Sequence, residues 1–227
     1  MERSRIQNKL PIAVEGIPFV LASGSLSLLL FLMKFECAGM LLLLITLFVT
    51  YFFRDPERVF PKLPGAVISP ADGKILEVTP LRESAPPLNK TGTKVSIFMS
   101  IFDVHVNRIP LSGTIKRVEY KKGKFFSANL EKSSHLNEKN LLWLETKEAG
   151  DIVVVQIAGL IARRISCWIR EGDRLERGQR FGLIRFGSRV ELFLPKGFSP
   201  AVAPGDKVKA GKTILGFYHE KQEKETW

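Results

Sequence analysis

Two apolar runs near the N-terminus constrain the fold of this chain more than any other feature. Ile17 to Met33 and Ala38 to Phe53 carry no charged residue, and only the short segment from Lys34 to Cys37 separates them. Each run is slightly shorter than the roughly 20 residues that a membrane-spanning helix usually needs. We therefore predict a tight helical hairpin that crosses a membrane and returns, with a shallower hairpin lying in the membrane interface as the alternative.

Basic residues lie at the outer ends of this hairpin. Three precede the first run, three follow the second and one occupies the tip: Arg3, Arg5, Lys9, Arg54, Arg58, Lys62 and Lys34, in that order. The positive-inside rule places both ends, and the rest of the chain, on the cytoplasmic side of the cell membrane. The net charge of +11 indicates attraction to polyanions, and the apolar runs favour an anionic bilayer over nucleic acid as the partner.

From residue 54 onward, short β-rich segments replace the apolar runs. Gly, Pro, Asn and Asp turns separate them, as in an all-β sandwich or barrel. The predicted strands are Ala66–Ser69, Lys74–Val78, Val95–Ile101, Gly113–Tyr120, Leu141–Glu145, Ile152–Ile157, Ile165–Arg170, Arg180–Phe186 and Arg189–Phe193. We expect a mainly β protein in two parts, a membrane hairpin over 1–53 (helices at about 17–33 and 38–53) and a β-rich domain over 54–227.

An internal echo points to a particular kind of β fold. The segments 171–179 and 204–212 share the order Gly-Asp-basic-aliphatic, two further residues, glycine and a polar residue. The Gly-Asp turn and the second glycine would set two tight bends around one short strand. The pattern resembles the hairpins of lipoyl-type sandwich and hybrid-barrel folds, although turn chemistry alone explains these residues.

Three short segments carry the candidates for chemistry. Gly187-Ser188 lies between two predicted strands and is, by itself, a common turn dipeptide. Glycine leaves its carbonyl open to attack, so the Ser188 hydroxyl could convert the peptide bond to an ester. β-Elimination would then cleave the chain, and hydrolysis would leave a pyruvoyl group at the new N-terminus. The other candidates are Asp72, in an Asp-Gly turn, and His105, which follows an apolar run.

Together, these segments resemble the phosphatidylserine decarboxylase family, and its short-form branch in particular. In the family's order, the matching motifs are an entry motif at 52–58, an aspartate motif at 69–73, a histidine motif at 104–110, a loop motif at 123–129 and 137–140, and the Phe186-Gly187-Ser188 self-cleavage site. The match runs from about Phe52 to Phe217. Any one motif is weak evidence, whereas five in order are strong evidence.

The resemblance implies a proenzyme that cuts itself between Gly187 and Ser188. The products would be a large β chain, 1–187, and a small α chain, 188–227, which would stay together as a heterodimer. We expect this because the strands on either side of Ser188 would share one sheet and one core.

The resemblance also implies the reaction. Ser188 would become the pyruvoyl cofactor, with Asp72 and His105 assisting self-cleavage. The mature enzyme would convert phosphatidylserine in the bilayer to phosphatidylethanolamine and CO2 through a Schiff base, with the pyruvoyl group as the electron sink and no metal. His105 is then the candidate acid that delivers a proton to the substrate.

One residue departs from the pattern of long-form relatives. Those relatives have two histidines, three positions apart, in the histidine motif, and here the second position is Arg108. Arginine cannot act as a base at ordinary pH. Either His105 serves both steps, or Arg108 takes another role, such as holding the carboxylate or phosphate of the substrate.

The residues leave other functions open. The same chemistry could act on an archaeal-type ether lipid, archaetidylserine, or on another serine phospholipid, because no feature of the sequence indicates which lipid tails are bound. A non-catalytic, membrane-tethered lipoyl-like binding module would need only the Gly-Asp repeats. A pyruvoyl enzyme for a soluble amino acid is a further possibility, against which the apolar hairpin argues.

Overall fold

A computed structural model describes residues 3–82, 85–126, 136–160, 164–185 and 187–218. Phe186 of the cleavage motif and residues 127–129 of the loop motif lie outside these residues. The described chain is mainly β, as predicted, with an apolar helical hairpin at its N-terminal end. The helical elements are α1 (Arg3–Ile6), a 3-10 turn (Val14–Gly16), α2 (Ile17–Leu32) and α3 (Glu36–Phe52).

Helices α2 and α3 form the predicted hairpin. Lys34 makes the turn between them with a positive φ of 64°. The Ser27 hydroxyl donates to the Gly39 carbonyl of the opposite helix at 2.8 Å, which gives a hydroxyl a partner that lipid could not supply. Among the described helices, the stretch Val14–Leu32 is long and apolar enough to cross a membrane, whereas α3 is shorter. The hairpin therefore indicates membrane association and leaves its depth a prediction.

The strands of the described chain pair antiparallel in three sheets. They are β1 (Ala66–Ile68), β2 (Gly73–Leu81), β3 (Gly92–Met99), β4 (Val106–Arg108), β5 (Gly113–Lys121), β6 (Lys139–Thr146), β7 (Gly150–Ala158), β8 (Ile165–Cys167), β9 (Arg174–Leu175), β10 (Arg180–Ile184), β11 (Ser188–Pro195), β12 (Phe198–Pro200), β13 (Lys207–Val208) and β14 (Ile214–Tyr218). The large sheet has the order β13-β2-β3-β11-β7-β6-β5-β9, and the small sheets are β1-β14-β12 and β4-β10-β8. Strands β4, β12 and β14 lie outside the segments predicted above, and β4 and β12, with three residues each, are too short to show a clear alternation.

The internal echo corresponds to a repeated structural unit. Strand β13 of one copy pairs with β2, and β9 of the other copy pairs with β5. The carbonyl of Asp206 accepts the Ile75 N–H at 2.8 Å, and the carbonyl of Asp173 accepts the Ile115 N–H at 2.9 Å. The strands that follow each copy also match, since β14 pairs with β1 and β10 pairs with β4. Each copy thus closes an equivalent corner of the fold.

The two strands that flank Ser188 belong to different sheets. Strand β10 pairs with β4 and β8, whereas β11 lies between β3 and β7 in the large sheet. The expectation of one shared sheet is therefore wrong, because Gly187, with φ of 71°, turns the chain from one sheet into the other in a conformation that favours glycine. The expectation of one shared core is correct, since Leu183 of β10 and Leu192 of β11 lie in the same buried cluster.

Candidate active site

Ser188 is the first residue of the central strand β11. It is fully buried and pairs with Met99 of β3 on one side and Ala158 of β7 on the other. Its hydroxyl donates to the Met99 sulfur at 3.3 Å. A thioether is a weak acceptor, so this contact positions the hydroxyl without engaging it strongly.

His105 lies against the main chain immediately before Ser188. Its Nδ1 is 2.9 Å from the carbonyl oxygen of Asp103, and a carbonyl can only accept, so Nδ1 carries the proton. The unprotonated Nε2 then accepts the N–H of Gly187 at 3.3 Å. The ring nitrogen that can act as a base is therefore the one at the candidate scissile bond.

Burial sets the protonation state of His105. Removal of the imidazole from solvent lowers its pKa to about 4, and the charge of Arg54 acts in the same direction, against the opposing effects of Asp103 and Asp72. The imidazole is therefore neutral at physiological pH and able to accept a proton.

We expect the rate of self-cleavage to follow this low pKa. The rate should stay constant between roughly pH 8 and pH 5 and fall about tenfold per unit below about pH 4, because protonated His105 cannot accept a proton. Newly synthesised protein transferred to buffers of different pH and sampled on denaturing gels would give the profile. A midpoint near the ordinary histidine value of about 6.5 would contradict the assignment.

A line of aromatic rings connects His105 to the hairpin. Phe52, the last residue of α3, is buried with its ring centroid 4.3 Å from that of His105. Phe53 packs edge-on against Phe52 at 5.0 Å and stacks on Phe19 of α2 at 5.8 Å. The apolar helices thus supply part of the surface that keeps water from the imidazole, and the candidate active site lies at the base of the hairpin.

Asp72 lies in a separate, hydrogen-bonded corner. Its carboxylate accepts from both terminal nitrogens of Arg58, one of them at 2.9 Å, and from the Ala210 N–H at 2.8 Å. Arg58 also donates to the Ala210 carbonyl at 2.7 Å. Among the described residues, the Asp72 carboxylate makes its hydrogen bonds to Arg58 and Ala210, and it acts on His105 through its charge alone. The predicted role of Asp72 in self-cleavage stays a prediction.

Comparison of the two copies of the repeated unit distinguishes two contributions of Asp72, a hydrogen bond at the turn and a negative charge. Ser112 occupies the equivalent turn before β5, and its hydroxyl accepts the Arg177 N–H at 3.0 Å, as Asp72 accepts the Ala210 N–H. The turn contact is therefore common to both copies of the unit. The negative charge, with Arg58 to balance it, is specific to the Asp72 copy.

A paired substitution should separate the turn contact from the charge. We expect Ser112→Ala to lower the free energy of unfolding by about 1 kcal/mol, the net value of one hydrogen bond. Asp72→Ala should lower it by about 3 to 5 kcal/mol, because Arg58 is left buried without its counter-charge. Urea unfolding in detergent, followed by tryptophan fluorescence, would measure both. Equal losses would show that the Asp72–Arg58 pair adds nothing to stability.

Comparison with known proteins identifies the family of this chain. A sequence model of the family described as phosphatidylserine decarboxylase matches residues 45–216. The chain belongs to the phosphatidylserine decarboxylase family. A relative from Syntrophus aciditrophicus, named phosphatidylserine decarboxylase proenzyme, is 48% identical over 208 residues, which cover 91% of this chain and 97% of the relative. Relatives of the same name from Geotalea uraniireducens and Nitrosomonas europaea are 48% identical over 206 and 208 residues, or 96% and 95% of their lengths.

Arg108, in the histidine motif, is a buried arginine. Arg108 donates to the carbonyls of Gly178 and Pro56 at 3.0 Å each, and its guanidinium lies 3.6 Å from Asp55. Burial lowers its pKa to about 10, so it remains charged. These contacts favour a structural role for Arg108, and its contact with substrate remains a prediction.

The family's entry motif fastens the hairpin to the β domain. Asp55 accepts from Arg180 of β10 at 2.8 Å, and Glu57 accepts from the same guanidinium at 2.8 Å. Arg54 donates to the carbonyl of Phe102 at 2.6 Å. Charged residues directly after a membrane segment usually indicate only orientation, so these long-range contacts could not be predicted from the sequence.

A line of buried amides behind Met99 was not predicted from the sequence. Asn140 donates to Gln156 at 3.1 Å, Gln156 donates to Asn107 at 2.8 Å, and Asn107 contacts the Met99 sulfur at 3.7 Å. Buried amides are costly unless they are hydrogen-bonded, so the line holds Met99, and with it Ser188, in one position. Gln156 inside the apolar run of β7 was the one available signal.

Proposed function

We propose that this chain is a membrane-associated proenzyme that cuts itself between Gly187 and Ser188 and then decarboxylates phosphatidylserine to phosphatidylethanolamine and CO2. The observation that carries the proposal is the contact between the unprotonated Nε2 of His105 and the N–H of Gly187, next to the buried Ser188 hydroxyl. A base, a nucleophile and a glycine carbonyl in one dry site are the parts that self-cleavage needs.

His105 is the proposed base for the first step. It takes the proton of Ser188 as the hydroxyl oxygen attacks the Gly187 carbonyl carbon, and the carbon–nitrogen bond breaks to give an ester and a free amine. For this, Nε2 must exchange its contact with the Gly187 N–H for the Ser188 hydroxyl. Gly187 supports such a shift, since the space where a side chain would lie contains no atom within 4 Å among the described residues.

Chain cleavage follows from the ester. Loss of the Ser188 α-proton expels the carboxylate of Gly187 and leaves dehydroalanine on the small chain. Addition of water to its imine tautomer releases ammonia and leaves the pyruvoyl group. The new Gly187 carboxylate places a negative charge near His105, which should raise the pKa of the imidazole and favour its later role as a proton donor.

The surroundings of Ser188 fit a pyruvoyl group. The group has about the size of the serine it replaces, lacks a hydroxyl and would rest against the Met99 thioether, which requires no strong donor. When present, it supplies an electron-withdrawing carbonyl that accepts the electron pair released as CO2 leaves. The chain's own part is to exclude water, through Phe52 and the buried strands, and to return one proton through His105.

The two fragments are proposed to stay together as a heterodimer. The small chain, 188–227, would keep β11 between β3 and β7 of the large chain, with β14 on β1 and β13 on β2. Arg58 and Asp72 of the large chain also bind Ala210 of the small one. Separation would require breaking each of these contacts at once.

The substrate is proposed to be reached at the cytoplasmic face of the cell membrane. The aromatic line from Phe19 to His105 supports this, because it places the site beside the apolar helices. The positive-inside rule supports the cytoplasmic orientation, and the +11 charge suits an anionic lipid.

A labelled-lipid assay tests the proposal. Purified protein is mixed with vesicles of phosphatidylserine that carries carbon-13 in the serine carboxylate, and the released CO2 and the fragment masses are measured. We expect labelled CO2 together with fragments that end at Gly187 and begin at a modified Ser188. Labelled CO2 from an intact chain, or no CO2 from a processed one, would contradict the proposal. Parallel vesicles with ether-linked tails would report on tail selectivity.

A further inference from the structure

Arg185, two residues before Gly187, has one guanidinium nitrogen without a partner among the described residues. Its Nε is buried and has no hydrogen-bond partner among the described residues. Its guanidinium carbon lies 5.5 Å from the centroid of the Phe19 ring, near the start of α2. A buried N–H without a partner costs free energy, and the mechanism proposed above does not use this side chain.

The charges around Arg185 are unbalanced. The backbone N–H of Arg185 donates to the backbone carbonyl of Arg164 at 3.3 Å. Burial, together with the charge of Arg164, lowers the pKa of the Arg185 guanidinium. Arg5 adds a third positive charge. Glu15 offsets one of them, but its Oε1 already accepts from Trp168 at 2.8 Å and from Arg5 at 3.2 Å. Among the described residues, three arginines against one glutamate leave an excess of positive charge.

This excess lies where the headgroup of a membrane lipid would lie. The guanidinium of Arg185 rests on Phe19, which stacks on Phe53 and so joins the line of rings that ends at His105. The same side chain therefore contacts the apolar hairpin and neighbours the candidate scissile bond. A phospholipid whose tails lie along the hairpin would place its phosphate between the hairpin and the candidate scissile bond.

We propose that Arg185, with Arg164 beside it, binds the phosphodiester of the lipid substrate. The inference rests on the proposed function and adds the residue that holds the headgroup. A guanidinium can offer two parallel N–H donors to phosphate oxygens. The excess of positive charge also suits the net negative charge of the phosphatidylserine headgroup.

Binding of a lipid that cannot react tests this assignment. Processed protein is titrated with dihexanoyl phosphatidylglycerol, which has the phosphodiester but no carboxylate to lose, and with dihexanoylglycerol, which has no phosphate. We expect Arg185→Gln to weaken phosphatidylglycerol binding about tenfold to a hundredfold and to leave dihexanoylglycerol binding unchanged. Arg185→Lys should lose less. Arg174→Gln is the matched control, because Arg174 is exposed on β9.

Kinetics provide a second reading of the same variants. Arg185→Gln should cleave itself normally, raise the KM for phosphatidylserine about tenfold or more and keep kcat within about threefold, because the lost contact is made equally in the ground state and the transition state. A fall in kcat with unchanged KM would overturn a binding role for Arg185.

Three further results would overturn the proposal while leaving the proposed function intact. The first is unchanged phosphatidylglycerol binding in Arg185→Gln. The second is an equal loss of phosphatidylglycerol binding in Glu15→Gln. Glu15 Oε2 is also buried without a partner among the described residues, so an equal loss would show that Arg185 and Glu15 act together in the structure and that Arg185 does not bind the lipid itself. Inorganic phosphate that binds as tightly as phosphatidylglycerol would refute the assignment to a lipid. Failure of the proposed function would instead appear as no CO2 from the unsubstituted protein.

Discussion

Ser188→Ala is expected to give an intact chain of 227 residues that releases no CO2 from phosphatidylserine. Alanine has no hydroxyl to attack the Gly187 carbonyl and no leaving group on its β carbon, so neither dehydroalanine nor a pyruvoyl group can form. Loss of activity should reach the uncatalysed background, a factor of at least about 10⁶. Intact-mass measurement and the labelled-lipid assay would record both effects in one preparation.

The structure predicts that this variant still folds. Ser188 is buried and, among the described residues, its hydroxyl donates to a weak acceptor, the Met99 sulfur, so replacement by alanine should cost about 1 kcal/mol or less. Ser199→Ala is the matched control, since Ser199 is exposed on β12 of the same small fragment, and it should cleave and react normally. A Ser188→Ala protein that is cut at this bond would refute Ser188 as the nucleophile.

His105→Gln is expected to slow self-cleavage by at least about 10² to 10⁴, the usual contribution of a general base. Glutamine can still accept the Gly187 N–H, so the local structure is kept while the transferable proton site is lost. His105→Ala should behave similarly and recover part of its rate with added imidazole, because the buried space beside Phe52 is then vacant.

Slow cleavage of the His105→Gln protein also tests the second role of this residue. After long incubation, the fraction that has been processed can be isolated and its CO2 release expressed per processed chain. A low value would assign His105 to proton return as well as to cleavage. His219→Gln is the control and should process at the normal rate. Normal cleavage by His105→Gln would show that another group is the base.

Features that depend only on residues close together in the chain could be predicted from the sequence. The apolar runs, the Gly-Asp echo and the Gly187-Ser188 dipeptide each carry their signal within a short segment, and the structure places helices, repeated corners and a turn between sheets there. Proximity of His105 to Gly187 joins residues far apart in the chain and followed only from the order of the family's motifs.

Long-range polar contacts could not be predicted in the same way. The partners of Asp72 are Arg58 and Ala210, and those of Arg108 are carbonyls at Pro56 and Gly178. Nothing in the composition of these segments specifies which cation meets which anion, because any exposed pair would satisfy local rules. The change of sheet at Gly187 was missed for a related reason, since β10 and β11 have similar patterns and differ only in their distant partners.

The position of Ser188 has a consequence for the lifetime of the enzyme. A dissociable cofactor can be replaced when it is damaged, but a group made from the first residue of a strand held between β3 and β7 cannot leave without unfolding the sheet. Each chain would make its reactive group once and keep it. Chemical damage to that group would inactivate the whole molecule permanently, so the cell could restore activity only by new synthesis.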